Sequence, residues 1–313
     1  MCFTASNNPK QLRIYGGIIV KSGFVSIVGR PNVGKSTLMN KVIGEKIAIV
    51  SEKPQTTRTR IQGIYACDEG QVIFIDTPGI HKPKHLLGEY MVKVSTRSLE
   101  EVDIIYFMTD VTRPFGGGEK FILNELKDVS VPIFLLVNKI DLAAGEDHVK
   151  NFIHAFESYM TFAEVIPISA TEGMNIDQLL SKTFAYLPEG PLYYPADDLT
   201  DQPVSFIIQE LIREKALLLT RDEVPHSLAV EVEELKTKSG EKVYCRAVIY
   251  TERDSQKGII IGRNGSMLKN IGEQSRKDIE KLIDSPVYLD LWVKVKKNWR
   301  DNETNLNQLG YRL

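Results

Sequence analysis

The chain has 313 residues, of which 42% are hydrophobic and 26% are charged, and its formal net charge is −2. This length suffices for two domains that each bury a core, and this composition excludes a disordered or fibrous protein. The three cysteines, Cys2, Cys67 and Cys245, show no C-x-x-C spacing, which argues against a disulfide framework or a zinc site and fits a reducing cytoplasm.

The N-terminal residues, 1–21, are predicted to form a polar tail outside the folded domains. Their apolar run, from Ile14 to Val20, is short and ends at Lys21, and no small-residue cleavage site is evident. A membrane-spanning helix needs about 20 apolar residues. We therefore expect neither a signal peptide nor a transmembrane helix, and we expect the protein to be cytoplasmic.

A phosphate-binding motif follows the first predicted strand, Phe24 to Val28. The residues after this strand match the pattern G-x-x-x-x-G-K-[ST] and are Gly29, Arg30, Pro31, Asn32, Val33, Gly34, Lys35 and Ser36. The glycines let backbone N–H groups point at phosphate oxygens, and the helix that begins with Ser36 and Thr37 adds a favourable dipole. Lys35 is predicted to neutralise the β- and γ-phosphates, and the Ser36 hydroxyl to bind Mg²⁺. The alternative is an ordinary glycine-rich turn.

Thr56 and Thr57 lie in the polar segment from Ser51 to Arg60. Either residue is a candidate for the switch threonine that completes the Mg²⁺ shell when GTP is bound. The sequence does not choose between them, and the alternative is that both are ordinary loop threonines.

A further motif, Asp76-Thr77-Pro78-Gly79, follows the apolar run from Val72 to Ile75. Asp76 at the end of a buried strand is suited to hold Mg²⁺ through water, and the Gly79 N–H to bond the γ-phosphate. Thr77 and Pro78 complete this candidate nucleotide-binding segment. The alternative is a common Asp-initiated turn at the end of a strand.

The base-recognition motif follows the continuous apolar run from Val131 to Val137, which is typical of a parallel strand buried on both faces. It comprises Asn138, Lys139, Ile140 and Asp141. The Asp141 carboxylate is predicted to accept from the N1–H and exocyclic amine of guanine, a donor pair that adenine lacks, so the site favours GTP over ATP. After the next strand, Ser169 and Ala170 are placed where backbone N–H groups reach guanine O6.

Three motifs resemble, in their residues and in their order, those of the Era group of translation-factor-type GTPases. They are G-R-P-N-V-G-K-S, D-T-P-G and N-K-I-D. Ile80 follows the D-T-P-G glycine, where Ras-like enzymes carry a water-orienting glutamine, so the resemblance implies slow intrinsic hydrolysis or a water held by other groups. Asn32 resembles an asparagine that holds K⁺ in K⁺-dependent members, and the alternative is tolerance of an unusual backbone angle. The catalytic candidates are Lys35, Asn32, Thr57 and Gly79.

The nucleotide-binding domain, predicted over residues 22–188, has the pattern of a doubly wound α/β sheet with its site at the carboxyl ends of the strands. Strand-like runs are marked by Phe24, Val50, Val72, Ile104, Ile133 and Val165. Its last helix is predicted over Asn175 to Tyr186. Proline, glycine and aspartate residues then predict an interdomain linker over 189–204.

The second domain is predicted over residues 205–305, with a C-terminal tail over 306–313. Its elements run helix, strand, strand, helix, helix, strand, the last two being Ser266 to Ile283 and Val287 to Val295. This α+β order, with Gly262-Arg263-Asn264-Gly265 as its G-x-x-G loop, resembles a KH domain of the bacterial type (type II). Such a loop clamps about four nucleotides of single-stranded RNA.

Ten Lys or Arg residues against five Asp or Glu residues lie between Gln256 and Arg300. A local basic surface of this kind favours RNA binding. The candidate RNA contacts are Lys257, Gly258, Gly262, Arg263, Asn264, Gly265, Lys269, Lys294, Lys296, Lys297 and Arg300. Tyr288, Trp292 and Trp299 are candidates for stacking on bases, with burial in the core as the alternative.

The resemblance covers roughly residues 22–305. It implies a GTP-hydrolysing switch with GTP or GDP, Mg²⁺ and, as an open alternative, K⁺ as cofactors. It implies further that the protein acts in ribosome assembly, binds the 3′ end of 16S ribosomal RNA and the 30S subunit, and associates peripherally with the inner membrane. We expect a monomer. The alternatives are a GTP-bound RNA-binding checkpoint with little catalysis and a membrane or cell-cycle signalling GTPase.

Overall fold

The computed structural model of the protein describes residues 20–51, 53, 55–79, 83, 85–236 and 242–312. Residues 1–19 of the predicted N-terminal tail lie outside the described residues, and so does Ile80. The prediction of slow hydrolysis that rests on Ile80 therefore lies outside them as well. The chain forms two compact units. The first holds the described residues within 20–47, 60–79 and 95–201, and the second those within 48–59, 83–94 and 202–312.

The first unit is built around a seven-stranded sheet. Its elements in chain order are β1 (Val20–Gly29), α1 (Lys35–Ile43), β2 (Ile61–Cys67), β3 (Gly70–Asp76), α2 (Leu86–Arg97, of which 86–94 belong to the second unit), β4 (Ile104–Asp110), α3 (Gly117–Glu125), β5 (Ile133–Asn138), α4 (Glu146–Glu157), β6 (Glu164–Pro167), α5 (Ile176–Tyr186) and β7 (Glu189–Gly190).

The strand order is β2-β3-β1-β4-β5-β6, and β7 pairs with β1 off this path. The pairs from β3 to β6 are parallel, so their carboxyl ends meet at one edge of the sheet. Every residue of β3, β4 and β5 is buried, because helical crossovers cover both faces of a parallel sheet. The predicted α/β fold is confirmed, and the phosphate and base motifs follow strands of this sheet.

The strand predicted around Val50 is wrong. The strand in this part of the chain is β2, which pairs antiparallel with β3 from Ile61 to Cys67. Ile47, Ala48 and Ile49 are buried like strand residues, but tertiary contacts hold this segment. The Val50 N–H donates to a carboxylate oxygen of Glu214 at 3.0 Å rather than to a neighbouring strand.

The predicted linker, 189–204, is bonded to the first unit over much of its length. β7 pairs with β1, and the backbone N–H groups of Tyr193 and Tyr194 donate to Gln71 Oε1 at 2.9 and 3.1 Å. Residues up to Asp201 belong to the first unit.

The second unit has the predicted order of elements, with two short additional helices. These elements are α6 (Val204–Leu219), α7 (Val224–Ser227), β8 (Ala229–Lys236), β9 (Val243–Thr251), α8 (Asp254–Ile261), α9 (Ser266–Ile283), β10 (Val287–Val295) and α10 (Glu303–Gln308). The sheet order is β10-β9-β8, with β9 and β10 parallel and β8 antiparallel to β9. Apolar side chains of the strands pack against α6, α8 and α9 in one core. In the part of the chain that the structure describes, no helix is long and apolar enough to cross a membrane.

Candidate functional site

The loop between β1 and α1 curls around the ammonium group of Lys35. Its Nζ donates to the backbone carbonyls of Gly29 at 3.3 Å and Arg30 at 3.1 Å. Gly34 has φ of +106°, and a Cβ at this position would lie 2.3 Å from Asn138 Nδ2, so the loop closes only with glycine here. The loop is therefore shaped by its backbone, as an anion-binding loop must be.

Lys35 is buried at the start of α1. Burial lowers the pKa of its ammonium group, and the negative charge of Asp76 partly opposes this. A buried cation whose bonds go to carbonyls keeps an unmet preference for a full negative charge. This site is therefore suited to bind phosphate.

The serine and aspartate predicted to hold Mg²⁺ lie together at the carboxyl edge of the sheet. Ser36 Oγ donates to Asp76 Oδ2 at 2.6 Å. Asp76 is the last residue of β3 and pairs in register with Ile27 of β1, which brings it to the phosphate loop. A hydroxyl beside a carboxylate is a donor set that fits Mg²⁺, a hard cation that prefers oxygen and retains several waters.

The segment after Asp76 lies against the phosphate loop. A Cβ on Gly79 would come within 2.7 Å of the Pro31 backbone nitrogen, so this close approach requires glycine. The Thr77 hydroxyl donates to the Ile27 carbonyl at 2.9 Å, and the Pro78 carbonyl accepts from Ser95 Oγ at 2.8 Å. These bonds fix the D-T-P-G backbone where its glycine faces the loop.

Asn138 joins the base motif to two other parts of the site. Its Nδ2 donates to the Val33 carbonyl at 2.8 Å, and its Oδ1 accepts from the Ala170 N–H at 2.9 Å. Because Asn138 is buried, both bonds hold the phosphate loop and the Ser169-Ala170 segment in fixed positions. In this structure Asn138 uses its amide to bind protein, and Asp141 is exposed in the short turn Ile140–Leu142.

Three residues that sequence reasoning missed complete the polar surroundings of the loop. Asp110, the last residue of β4, accepts from Lys139 Nζ at 2.6 Å. Burial would raise the pKa of the Asp110 carboxyl, but hydrogen bonds from Lys139 and Thr112 outweigh it and lower the pKa. Arg113 donates to the Pro31 carbonyl at 3.3 Å, and Glu119 pairs with Arg30 at 2.9 Å. The position of Asp110 at the carboxyl end of a buried strand was the available signal.

Thr56 and Thr57 belong to the second unit and are both buried. The Thr56 hydroxyl donates to the Lys53 carbonyl at 2.6 Å. The assignment of either threonine to Mg²⁺ stays a prediction.

The G-x-x-G loop joins α8 to α9 in the second unit, as predicted. Gly262, Asn264 and Gly265 have φ of +73°, +52° and +76°. A Cβ on Gly262 would lie 2.6 Å from the Met267 Cβ, so glycine is needed for space as well as for backbone conformation. The side chains of Arg263 and Asn264 are exposed, which leaves this loop open to a phosphate backbone.

The other candidate RNA contacts differ in how they are engaged. Lys257, Gly258 and Lys297 are at least partly exposed, and Lys269 pairs with Glu273 at 3.8 Å. Lys294 pairs with Glu233 at 2.9 Å, and Lys296 donates to Gln308 at 2.7 Å while its Nζ lies 4.8 Å from the centre of the Tyr250 ring. Arg300 is largely covered and bonds Glu252 at 2.5 Å, and a phosphate contact at Arg300 stays a prediction.

The aromatic candidates separate into exposed and buried residues. Tyr288 and Trp292 are 61% and 55% exposed. Trp299 is fully buried, and its Nε1–H donates to the Ser227 carbonyl at 2.8 Å. The prediction that Trp299 is available to stack on bases is therefore wrong.

Comparison with known proteins agrees with this geometry. Residues 24–139 match the family described as 50S ribosome-binding GTPases, and residues 223–300 match the KH domain family. The fold and the two loops define a P-loop GTPase joined to a KH domain.

Two solved structures are similar along nearly the whole chain. One is Era from Aquifex aeolicus, a variant bound to GDP and AlF₄⁻, and the other is Era in complex with MgGDPNP and nucleotides 1506–1542 of 16S ribosomal RNA. Each is 41% identical, covers 94% of this chain and 100% of the other, and superposes with a TM-score of 0.91. The chain belongs to the Era family of GTPases, which confirms the resemblance found in the sequence.

Proposed function

We propose that this protein is a GTP-hydrolysing switch that binds the 3′ end of 16S ribosomal RNA and acts in assembly of the small ribosomal subunit. The observation that carries the proposal is that one chain holds two loops shaped by their backbones for phosphate. One is the loop around Lys35, and the other is the G-x-x-G loop from Gly262 to Gly265. The complex of the similar Era with a 16S RNA fragment supports the choice of RNA.

In hydrolysis, the chain contributes positioning and neutralisation of charge, and we assign no general base. Lys35 stabilises charge on the β- and γ-phosphates, the Gly79 N–H bonds the γ-phosphate, and Asn32 orders the loop or a K⁺ ion. Ser36 and Asp76, with Thr56 or Thr57, would hold Mg²⁺, which neutralises charge on the phosphates when bound.

Guanine selectivity rests on Asp141, with Asn138 as the residue that fixes the surrounding loops. The carboxylate of Asp141 is exposed and lies outside the buried network around Asn138, and we propose that it accepts from two guanine N–H groups. ATP would leave this carboxylate facing a base without that donor pair, which weakens its binding.

RNA binding is proposed at the G-x-x-G loop, with Arg263 and Lys257 beside the phosphates and Tyr288 and Trp292 as exposed aromatic groups. GTP orders the segments of Thr56-Thr57 and Asp76-Gly79. RNA then binds one nucleotide state better than the other, and by linkage it favours that state to the same extent.

The experiment measures binding of a fluorescent RNA that ends in the small-subunit 3′ sequence, with GTP analogue, GDP or no nucleotide. We expect affinity to depend on nucleotide, and Arg263→Ala to weaken binding and reduce the salt slope by about one. Arg276→Ala, which removes an exposed charge from α9 in the same unit, should change neither the affinity nor the salt slope. Absence of RNA binding by the parent protein would contradict the proposal.

A location in the cytoplasm, peripheral association with the inner membrane and a monomeric state remain predictions of the family resemblance. Flotation with vesicles and light scattering would test the last two.

A further inference from the structure

The segment of residues 48–59 is bound by charged side chains of α6 in the second unit. The Val50 N–H donates to Glu214, and Arg213 Nη2 donates to the Thr56 carbonyl. Glu214 and Arg213 are almost fully buried, so these bonds are shielded from water. The segment that carries both candidate switch threonines is therefore held by neighbouring residues of one helix.

Arg213 is held in place by Glu210, one turn earlier on α6. Its Nε donates to Glu210 Oε1 at 2.8 Å, and Nη2 donates to Glu210 Oε2. Burial alone would lower the pKa of Arg213, but the charge and hydrogen bonds of Glu210, together with Tyr311 and Glu214, raise it. The guanidinium thus stays charged and presents a fixed donor to the Thr56 carbonyl.

Arg58, two residues after Thr56, bonds to another part of the second unit. Its Nη1 donates to the Leu228 carbonyl at 2.5 Å and its Nη2 to the His226 carbonyl at 3.3 Å. The guanidinium carbon lies 5.7 Å from the centre of the buried Trp299 ring. A planar guanidinium that bonds two carbonyls and faces an indole is a contact that lysine does not reproduce.

Trp299 also packs with the part of α2 that follows the D-T-P-G motif. Leu87 and Met91 of α2 lie in the same buried cluster as Trp299, Leu306 and Tyr311. The Leu86 N–H donates to Asp301 at 3.2 Å, beside the His85–Asp301 pair at 2.9 Å. Trp299 thus shares its surroundings with one segment after α1 and another after β3.

We propose that Arg58 and Arg213 are positioning residues that couple the segment of residues 48–59 to the rest of the RNA-binding unit, with Trp299 in contact with Arg58 and clustered with α2. This rests on the proposed function, because it takes Thr56 or Thr57 as the Mg²⁺-binding threonine. A change in either segment when GTP binds then requires these buried contacts to rearrange, and RNA bound to the second unit shifts the same equilibrium.

The first test uses tryptophan emission. The sequence contains two tryptophans, so Trp292→Phe leaves Trp299 as the only emitter. We expect the emission of Trp299 to differ between GDP and a GTP analogue, both with Mg²⁺, because its contact with Arg58 changes. Identical emission with the two nucleotides, under saturation shown by direct nucleotide binding, would overturn the proposal.

The second test measures RNA affinity with GTP analogue and with GDP in Arg58→Lys and Arg213→Lys. Lysine retains the charge and loses the planar fork, so folding is more secure than with alanine. In the parent we expect the RNA affinities with GTP analogue and with GDP to differ by about 5- to 150-fold, the usual allosteric range. In the variants we expect this ratio to fall towards one.

The matched control is Arg246→Lys in the same unit. Arg246 pairs with Asp290 and faces the Tyr244 ring at 5.6 Å, and it lies far along the chain from both switch segments. This control should keep the parent ratio. Variants that fold and keep the parent ratio would overturn the positioning role, whereas a parent with equal RNA affinity in all nucleotide states would overturn the proposed switch itself.

Discussion

The phosphate loop and the segment of residues 48–59 are both predicted to contact the nucleotide, yet they are held in opposite ways. Lys35 bonds the carbonyls of Gly29 and Arg30, six and five residues away. Thr56 and Arg58 bond Arg213 and Leu228, 157 and 170 residues away. The lysine of the loop bonds within its own motif, whereas the segment is held by residues that lie far along the chain but in the same unit.

This difference separates what each region does. A loop whose glycines turn the backbone around its lysine is suited to present N–H groups to phosphate. A segment bound to distant residues has an alternative set of contacts to exchange, which is what a switch requires.

The largest effect should come from breaking the distant contacts. Arg213→Ala leaves Glu210 buried without its cation, and we expect the free energy of unfolding of the second unit to fall by about 3–5 kcal/mol. Denaturant unfolding followed by tryptophan emission measures this, because both tryptophans lie in that unit. A loss similar to that of the control Arg246→Ala, whose side chain is far more exposed, would argue that the buried pair contributes little.

The next effect concerns the phosphate loop around Lys35. Lys35→Ala removes the cation beneath the phosphates, and GTP affinity should fall by about 2–5 kcal/mol, or about 30- to 4000-fold. Calorimetric titration measures it, and Lys150→Ala, an exposed lysine of α4, is the control. If Lys35→Ala also abolished the Trp299 response to bound nucleotide at saturation, the two regions would be less separable than we infer.

A smaller effect is expected at the base. Asp141→Asn replaces an acceptor with a group that presents an N–H to the guanine donors, so GTP affinity should fall by about 1.5–3 kcal/mol. Xanthosine triphosphate, which carries an acceptor at that position, should bind the variant better than the parent. If the parent and the variant preferred GTP over xanthosine triphosphate to the same extent, another residue would have to recognise the base.

The smallest effect is a pH dependence of the second unit. Burial, together with the charges of Arg58, Arg300 and Lys53, lowers the pKa of His226. The imidazole of His226 then binds a proton more readily in the unfolded chain than in the folded one. Its contribution to the free energy of unfolding is therefore largest above about pH 6.5 and is lost as pH falls through the lowered pKa.

The pH dependence is measured as unfolding midpoints between pH 7 and pH 5. His226→Gln should flatten the slope, whereas His148→Gln in the first unit should leave it unchanged. A slope that persists in His226→Gln would assign the effect to another group.

Regular elements could be predicted closely where periodicity is strong. Helix α9 and strand β10 span Ser266–Ile283 and Val287–Val295, the residues that the sequence predicted. Amphipathic and alternating patterns arise from burial of one face and are therefore visible in consecutive residues. Strand β2 was missed because Ile47, Ala48 and Ile49 are buried without forming a strand, so the apolar pattern around Val50 resembled one.

The sequence by itself determined the nucleotide motifs, the KH-type order and the backbone positions that require Gly34 and Gly262. Those properties depend on residues a few positions apart, where backbone geometry limits the choices. Only the tertiary structure decided that Trp299 is buried and that Arg58 and Arg213 hold the switch segment. The cost of burying a charge or an indole N–H is met by whichever partner the fold brings close, and the carbonyls that accept from Arg58 and Trp299 are more than 70 residues away along the chain.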